Sequence, residues 1–292
     1  MPKQHELFED LPPSERQPLV FSQLKTPVWT ENKAKLISKY LYYFVLITKH
    51  GAYIDGFAAP KEPDIKGSWA AELVLSSEPK FLRDFFLCEL EVDRAKYLHD
   101  LVAAQPARPK RNMSVLVGDF NSRVHDVLAS GSITEKKATF CLLDQYAFEC
   151  HWSTLEALSN HKAENKIELF YFLATGWLDR GLSGFSANPH IPEAWWGRPD
   201  WRSLQGMDQW ERAILFCRRF KEELGYLHAT PWPIYENGNT GKIMFHMIHA
   251  TDHDAAPKIM YRAYRNATRA EEPFELLQSS LLELWDQDTA DQ

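Results

Sequence analysis

The chain has 292 residues, of which 45% are hydrophobic and 25% charged, and its formal net charge is -7. This composition excludes a disordered or fibrous protein, and the length is ample for a large hydrophobic core. The negative charge argues against a general electrostatic grip on nucleic acid, although the basic run Arg108-Pro109-Lys110-Arg111 leaves a local contact open.

Cysteine usage and hydropathy indicate the cellular compartment. The four cysteines are widely spaced and form no C-x-x-C pair, so neither a disulfide framework nor a cysteine-based zinc site is predicted. The N-terminus lacks the apolar core of a signal peptide, and no run approaches the ~20 apolar residues of a membrane span. We therefore expect a cytoplasmic protein that does not associate with membranes.

The N-terminal region divides into an arm and a helix. Residues 1–27 are polar and rich in proline, which predicts an extended arm before a single α/β domain over 28–292. A helix is expected to begin after Thr30, a suitable N-cap, and to end at Gly51. Its apolar positions have the spacing of one helical face: Leu36, Ile37, Tyr40, Leu41, Phe44 and Val45.

The hydrophobic period then switches repeatedly between strand and helix. Strands are predicted at Tyr53-Ile54, 84–88, 113–117, 138–143 and 166–173. Helices are predicted over 68–77, 92–104, 121–129 and 152–160. Five strands separated by four helices predict a mostly parallel sheet with helices on both of its faces.

The alternation breaks in a tryptophan-rich insertion over 176–225, which is interpreted as a lid or as a substrate or partner element. It contains a predicted helix at about 207–224. Two strands at 227–235 and 242–250 follow, joined by a turn at Asn237-Gly238-Asn239-Thr240-Gly241, and a helical tail is predicted at 272–286. Five parallel strands with a terminal hairpin are the layout of a Rossmann-like, seven-stranded class I methyltransferase sheet.

Acidic residues follow four of the predicted strands. They are Asp55, Glu89, Asp119 and Asp144. Ligands of open parallel sheets bind beyond the carboxyl ends of the strands, so these four acids point to a site at that edge. The alternative is that aspartate simply favours strand ends and helix caps.

The segment after the first strand indicates a nucleotide or nucleoside site. Asp55 opens a loop of small residues, Gly56 to Pro60, and a helix N-terminus follows the loop. An acid beyond such a loop binds ribose in dinucleotide folds, which favours Glu89 for that role. Asp119 is placed to contact the edge of a base, and Asp144 faces the place where the acceptor of a methyl group or a hydride would lie.

Aromatic residues supply the predicted acceptor and partner surface. Tyr146 or Trp152 is placed to stack on a substrate ring, and Trp196 and Trp201 offer a platform for a base or peptide. The alternative for these tryptophans is packing within the core and lid. No metal site is predicted, because the closest histidine pair of the last strand, His246 and His249, has an odd spacing that points the two rings to opposite faces.

Several short motifs together resemble the three-Cys-motif partner family, often called TcmP, whose members look like class I S-adenosylmethionine (SAM)-dependent methyltransferases. The motifs, in chain order, are Trp29-Thr30-Glu31-Asn32-Lys33, Tyr53-Ile54-Asp55-Gly56-Phe57-Ala58, Phe86-Leu87-Cys88-Glu89, Gly118-Asp119-Phe120-Asn121, Leu143-Asp144-Gln145-Tyr146-Ala147, Trp152-Ser153-Thr154-Leu155, Trp196-Gly197-Arg198-Pro199-Asp200-Trp201 and Ala250-Thr251-Asp252-His253.

The resemblance implies a cofactor, a partner and roles for individual residues. It implies SAM binding and action together with a three-Cys-motif, radical-SAM-like protein. Carried over by position, Asp55, Gly56 and Ala58 would form the first cofactor loop. Glu89 would hold the ribose, Asp119 would meet the adenine edge, and Asp144 would face the reacting group.

The chain departs from the family pattern at two places around this pocket. The family loop Phe-Ala-Gly-x-Gly is here Phe57-Ala58-Ala59-Pro60-Lys61, and the family motif Asp-Pro-x-Gly is here Asp144-Gln145-Tyr146-Ala147. Ala59 resists a positive φ that glycine tolerates. Lys61 brings a cation that either pairs with a ligand carboxylate or phosphate or fills the pocket.

Two main functional hypotheses follow from these patterns. In the first, the chain is a SAM-dependent methyltransferase in which Asp144 and Tyr146 orient the methyl acceptor. In the second, it is a methyltransferase-like scaffold without catalysis that binds a partner protein, a nucleotide or a nucleic acid. A different enzyme using the same crevice is a third possibility.

Overall fold

The computed structural model describes residues 28–60, 69–185, 188–237 and 240–268. The predicted arm at 1–27, the predicted tail helix at 272–286 and Lys61 all lie outside these residues. No helix within the described ranges has the length and apolar character needed to cross a membrane.

Strands and helices alternate along the described chain. The strands are β1 (Ala52–Asp55), β2 (Asp84–Glu89), β3 (Asn112–Val117), β4 (Thr139–Leu143), β5 (Glu168–Leu173), β6 (His228–Asn237) and β7 (Thr240–Thr251). The helices are α1 (Val28–Thr48), α2 (Ala70–Ser76), α3 (Val92–Ala103), α4 (Phe120–Ala129), α5 (Trp152–Asn160), α6 (Leu178–Gly184), α7 (His190–Trp196), α8 (Gln209–Glu222) and α9 (Ala256–Thr268).

All seven strands form one sheet in the order β3-β2-β1-β4-β5-β7-β6. Strands β1 to β5 pair in parallel, whereas β7 runs antiparallel to both of its neighbours, β5 and β6. The predicted α/β class and the terminal hairpin are confirmed, and the sheet is mixed. The strand order reverses between β1 and β4, so a crevice is expected beyond the carboxyl ends of these two strands.

The central strands are buried on both faces, which explains their nearly continuous apolar sequences. In β1, Tyr53 joins a core with α1, α2 and α9, while Ile54 joins a second core on the opposite face with α4, α5 and α8. Successive residues of a strand point to opposite faces, so Asp55 and Tyr53 point to the α1 side.

One helix start and one whole helix differ from the sequence prediction. Helix α1 begins at Val28, so Thr30 lies within the helix and is not its cap. Helix α9 had not been predicted, although its apolar residues Ile259, Met260, Ala263, Tyr264 and Ala267 have helical spacing and are buried. Its burial against α1 stabilises it more than its local propensity does.

Candidate active site

The fold brings the four predicted acids to one edge of the sheet. Asp55 and Glu89 end β1 and β2, Asp144 directly follows β4, and Asp119 precedes α4. Asp55 and Glu89 are 1% and 4% exposed, Asp144 is partly buried, and Asp119 is exposed. The edge therefore contains two buried carboxyl groups, which is unusual unless hydrogen bonds or function retain them.

Asp55 uses both carboxyl oxygens to hold its own surroundings. Its Oδ2 accepts a hydrogen bond from the Tyr53 hydroxyl at 2.8 Å, and its Oδ1 accepts one from the Phe57 amide at 3.2 Å. Burial is the main cause that raises the pKa of Asp55 to about 7, and the charges of Asp144 and Glu89 raise it further. The two hydrogen bonds oppose that rise. Asp55 is thus a titratable structural acid beneath the loop.

The small-residue loop is anchored to neighbouring strands. The Gly56 amide donates to the Leu142 carbonyl at 3.0 Å, and the Ala58 amide donates to Cys88 at 2.8 Å. A Cβ atom added to Gly56 would lie 2.7 Å from the Phe120 ring. Gly56 is therefore required for close packing of Phe120, a contact that the sequence did not reveal.

Glu89 and Arg94 meet beside this loop. Glu89 Oε1 accepts the Glu91 amide at 3.0 Å and lies 3.6 Å from the Arg94 guanidinium. Arg94 also donates to the carbonyl oxygens of Ala59 and Pro60, at 3.1 and 3.3 Å. Glu89 Oε2 accepts no hydrogen bond from any described residue, so one oxygen of this largely buried side chain is open to a ligand.

Asp119 caps helix α4. Its Oδ1 accepts hydrogen bonds from the Asn121 amide at 3.0 Å and from the Asn121 side chain at 2.8 Å. The Asn121 side chain also bonds the Glu149 carbonyl, the His151 amide and the Thr154 hydroxyl. Asp119 therefore makes the contacts of a helix cap, which is the alternative to a ligand contact. The Asn121 side chain connects the loops that follow β3 and β4.

Asp144 forms an ion pair with Lys33 of α1. Lys33 is 2% exposed, and its Nζ lies 4.7 Å and 4.4 Å from the ring centroids of Phe172 and Phe245. Sequence reasoning missed this lysine, although it shares a helical face with Ile37 at i+4. A lysine on an apolar face was the available signal.

The loop after β4 is held by hydrogen bonds from Gln145 and Glu149. Gln145 is fully buried, and its side chain accepts the Cys150 amide at 3.0 Å and donates to the Phe172 carbonyl at 3.4 Å. The Tyr146 amide donates to Glu149 at 2.6 Å, and the Tyr146 side chain is 63% exposed. The departure at Gln145 therefore makes a differently supported loop that presents Tyr146 to solvent.

A groove of about 830 Å³ runs beside Tyr146. Phe148, Trp177, Phe185 and Met244 line it, and Arg180 adds a cation. Its aromatic walls and its position next to the β4 loop suit a planar or apolar acceptor.

The three tryptophans predicted to contact a substrate or partner lie in the core. Trp152, Trp196 and Trp201 are 3%, 2% and 1% exposed. The Arg219 guanidinium lies between the rings of Trp152 and Trp196, 3.7 and 3.9 Å from their centroids. The rings pack in the core that the insertion shares with the sheet, so they offer no exposed platform.

The two histidines of β7 have separate partners. His246 bonds the Thr175 hydroxyl at 2.8 Å, and burial lowers its pKa to about 3. His249 bonds Glu168 at 2.6 Å. The described residues contain no group of three or more metal-binding side chains placed to hold an ion.

A nucleoside fits the Glu89 end of the crevice better than the loop end. Glu89 offers an open carboxylate oxygen suited to a ribose diol, and Leu90 and Val92 beside it are 60% and 67% exposed. At the loop end, Arg94 occupies the carbonyl oxygens of Ala59 and Pro60, and Phe120 fills the space over Gly56.

Comparisons with solved structures give matches for this chain. No family model matches the chain, and no curated protein matches its sequence. The crystal structure of wild-type Trm5b from Pyrococcus abyssi matches with a TM-score of 0.40 and 13% identity, covering 74% of this chain. The chain spans 48% of that neighbour's length. A similarity at this level says nothing about this chain's activity.

Proposed function

We propose that this protein is a SAM-dependent methyltransferase related to the three-Cys-motif partner family. The observation that carries the proposal is the open oxygen of Glu89, a buried carboxylate at the end of β2 beside a small-residue loop. The sheet order β3-β2-β1-β4-β5-β7-β6, with β7 antiparallel, supports it, because this is the class I methyltransferase arrangement.

Each residue at the crevice has a defined task under this proposal. Glu89 would accept the ribose hydroxyls, and Asp119 would lie toward the base. SAM supplies an electrophilic methyl group when bound. Asp144 would orient the acceptor nucleophile, and Lys33 would hold the Asp144 carboxylate in place from α1. Tyr146 would contact the acceptor in the groove, which positions the reacting atoms.

Calorimetric titration with SAM and with S-adenosylhomocysteine tests this function. We expect both to bind, and we expect Glu89→Ala to weaken binding at least about tenfold because a charge-assisted hydrogen bond is lost. Glu91→Ala is the matched control, since its side chain is exposed nearby. Absence of heat at high micromolar ligand would refute SAM binding. Unchanged affinity in Glu89→Ala would refute only the ribose assignment.

A non-catalytic scaffold is the second candidate, and the Arg94 contacts favour it. Arg94 bridges Glu89 and the carbonyl oxygens of Ala59 and Pro60, which closes the loop without any ligand. If this contact blocks the crevice, Arg94→Ala should gain affinity for S-adenosylhomocysteine. Weaker binding in Arg94→Ala would instead assign Arg94 to the binding site, and equal binding would show that Arg94 neither blocks the crevice nor contacts the ligand.

The proposed partner is a three-Cys-motif, radical-SAM-like protein, and co-purification of the two full-length chains tests it. A stable complex without SAM binding would favour the scaffold, and no complex would remove the partner from the proposal. Nucleic acid remains a weaker proposal. Within the basic run, Arg111 donates to the Leu75 carbonyl at 2.8 Å and lies over the Phe85 ring. That arginine is therefore engaged in packing.

A further inference from the structure

A second cavity lies at the opposite edge of the sheet, away from the crevice. Its volume is about 360 Å³, which falls in the range of small-molecule pockets. Helices α1 and α9 cover it, and the amino ends of β4 and β5 and the end of β7 form its floor. The functional crevice described above is at the carboxyl ends of the same strands, so the two sites are separate.

The buried carboxylate of Glu168 is part of the floor. Glu168 is 6% exposed, and its Oε1 accepts hydrogen bonds from the Tyr40 hydroxyl and from His249 Nε2. Its Oε2 is 3.5 Å from the Thr251 hydroxyl and has no other partner among the described residues. A carboxylate oxygen can accept two hydrogen bonds, so Oε2 has unused capacity.

The lysines and His253 that line the cavity make no contact with Glu168 Oε2. The Lys166 ammonium donates to the Ser159 carbonyl at 2.8 Å, and Lys136 is exposed at the rim. His253 Nδ1 accepts the Ala255 amide at 3.2 Å. None of these contacts places a positive charge on Glu168 Oε2.

The other acids of the cavity are engaged with backbone amides. The two carboxylate oxygens of Glu135 accept the amides of Ala163 and Glu164, at 3.1 and 3.4 Å. Asp252 accepts the Leu227 amide at 3.1 Å. Glu168 is the buried one of these three acids, since Glu135 is exposed and Asp252 is partly buried, so its unused oxygen faces the inside of the cavity.

The walls are apolar and aromatic. Phe44 and Tyr40 contribute rings, and Ile47, Ala256 and Ile259 contribute aliphatic surface. A buried carboxylate beneath aromatic walls is complementary to an organic cation, because the charge pairs with the acid and the rings attract the cation and its stem.

We propose that this cavity is a binding site for a small primary amine, with its ammonium group at Glu168 and its apolar stem against α1 and α9. A primary ammonium carries three donors, which suit Glu168 Oε2 and the neighbouring Thr251 hydroxyl. The site is independent of SAM binding.

Calorimetry and ligand-observed NMR with 2-phenylethylamine test the proposal, with 2-phenylethanol as the uncharged probe of the same shape. We expect the amine to bind at least about tenfold more tightly than the alcohol, since the alcohol cannot pair with a buried carboxylate. No binding of the amine at millimolar concentration, or equal binding of both probes, would overturn the proposal.

Three variants test whether the amine binds in this cavity and at Glu168. Glu168→Gln keeps a carbonyl acceptor and removes the charge, so the amine should bind roughly tenfold more weakly. Ala256→Leu should abolish binding, because it fills the cavity without changing its charge. Glu135→Gln, at the exposed rim, should leave affinity within about twofold. Retained binding in Ala256→Leu, with folding confirmed by circular dichroism, would place the amine elsewhere and overturn the assignment.

Discussion

Asp55 shows how burial at a strand end governs one carboxyl group. Its two oxygens accept hydrogen bonds from Tyr53 and Phe57, yet its pKa rises to about 7 because removal from water outweighs these bonds. Near neutral pH, the crevice therefore contains a carboxyl group that gains or loses its charge with small changes of pH.

Stability should fall as pH rises because of Asp55. The folded protein binds this proton more tightly than the unfolded chain, so the folded state is favoured below the usual pKa of 3.8 and loses that advantage as pH rises to about 7. This rise in the pKa, of roughly three pH units, corresponds to a loss of at most about 4 kcal/mol in the free energy of unfolding. We expect Asp55→Asn to flatten urea-unfolding free energies between about pH 4 and pH 7, the window between the usual pKa of 3.8 and the folded pKa of about 7.

The comparison must be made against wild type at each pH. Below the usual pKa of 3.8, Asp55 is mostly neutral in both the folded and the unfolded protein, so Asp55→Asn should come closest to wild type there. At the alkaline end, it should be the more stable protein. A constant difference between the two proteins across the whole range would contradict the raised pKa.

At the scale of elements, the end of α7 depends on a glycine. Gly197 has φ +78°, and an added Cβ would lie 2.6 Å from Cγ of Trp152. The left-handed backbone and the close approach of the Trp152 ring both require glycine at this position. The turn thus fixes how the insertion sits on α5.

Replacing Gly197 should separate these two requirements. We expect Gly197→Ala to lower the free energy of unfolding by about 2–4 kcal/mol, combining backbone strain with overpacking. Gly206→Ala is the control: Gly206 has φ +82° and open space around its Cβ position, so only about 1 kcal/mol is expected. Equal losses in both variants would show that Trp152 does not press on Gly197.

At the scale of the whole molecule, the insertion and the sheet share one core. Trp195, Trp196 and Trp201 join the same hydrophobic cluster as Ile54 of β1 and Leu169 of β5. A shared core predicts that the tryptophan-rich segment and the sheet unfold together.

A substitution at Arg219 tests whether the tryptophan-rich segment and the sheet unfold together. It donates to the Trp196 carbonyl at 2.6 Å and makes two bonds to Glu223, at 2.7 and 2.8 Å. We expect Arg219→Ala to cost about 2–4 kcal/mol, since it removes a buried guanidinium that packs on two tryptophan rings and donates to a backbone carbonyl. Arg202→Ala should cost less than about 1 kcal/mol, because Arg202 is exposed over Trp201.

Two signals should report the same transition in both variants. Tryptophan fluorescence follows the insertion, and far-ultraviolet circular dichroism follows the sheet and helices. Coincident midpoints would support one cooperative unit. A fluorescence change at lower denaturant than the dichroism change would show that the insertion unfolds separately.

Much of the fold follows from local patterns. The repeated switch of hydrophobic period predicted β1 to β5 and the helices between them, and the turn before Gly241 predicted the hairpin. Helix α9 lies outside these predictions, because burial of its apolar face against α1 stabilises it more than its local sequence does. The positions of the four acids also followed, since strand ends can be located from the pattern and parallel strands end at one edge.

The sequence alone determined the alternation of strands and helices and therefore the edge at which Asp55, Glu89 and Asp144 meet. Only the tertiary structure decided what each side chain contacts. Lys33 reaches Asp144 across 111 residues, and Trp152 turns its ring into the core. The physical reason is that periodicity reports which face of an element is buried, whereas the partner on that face depends on long-range packing.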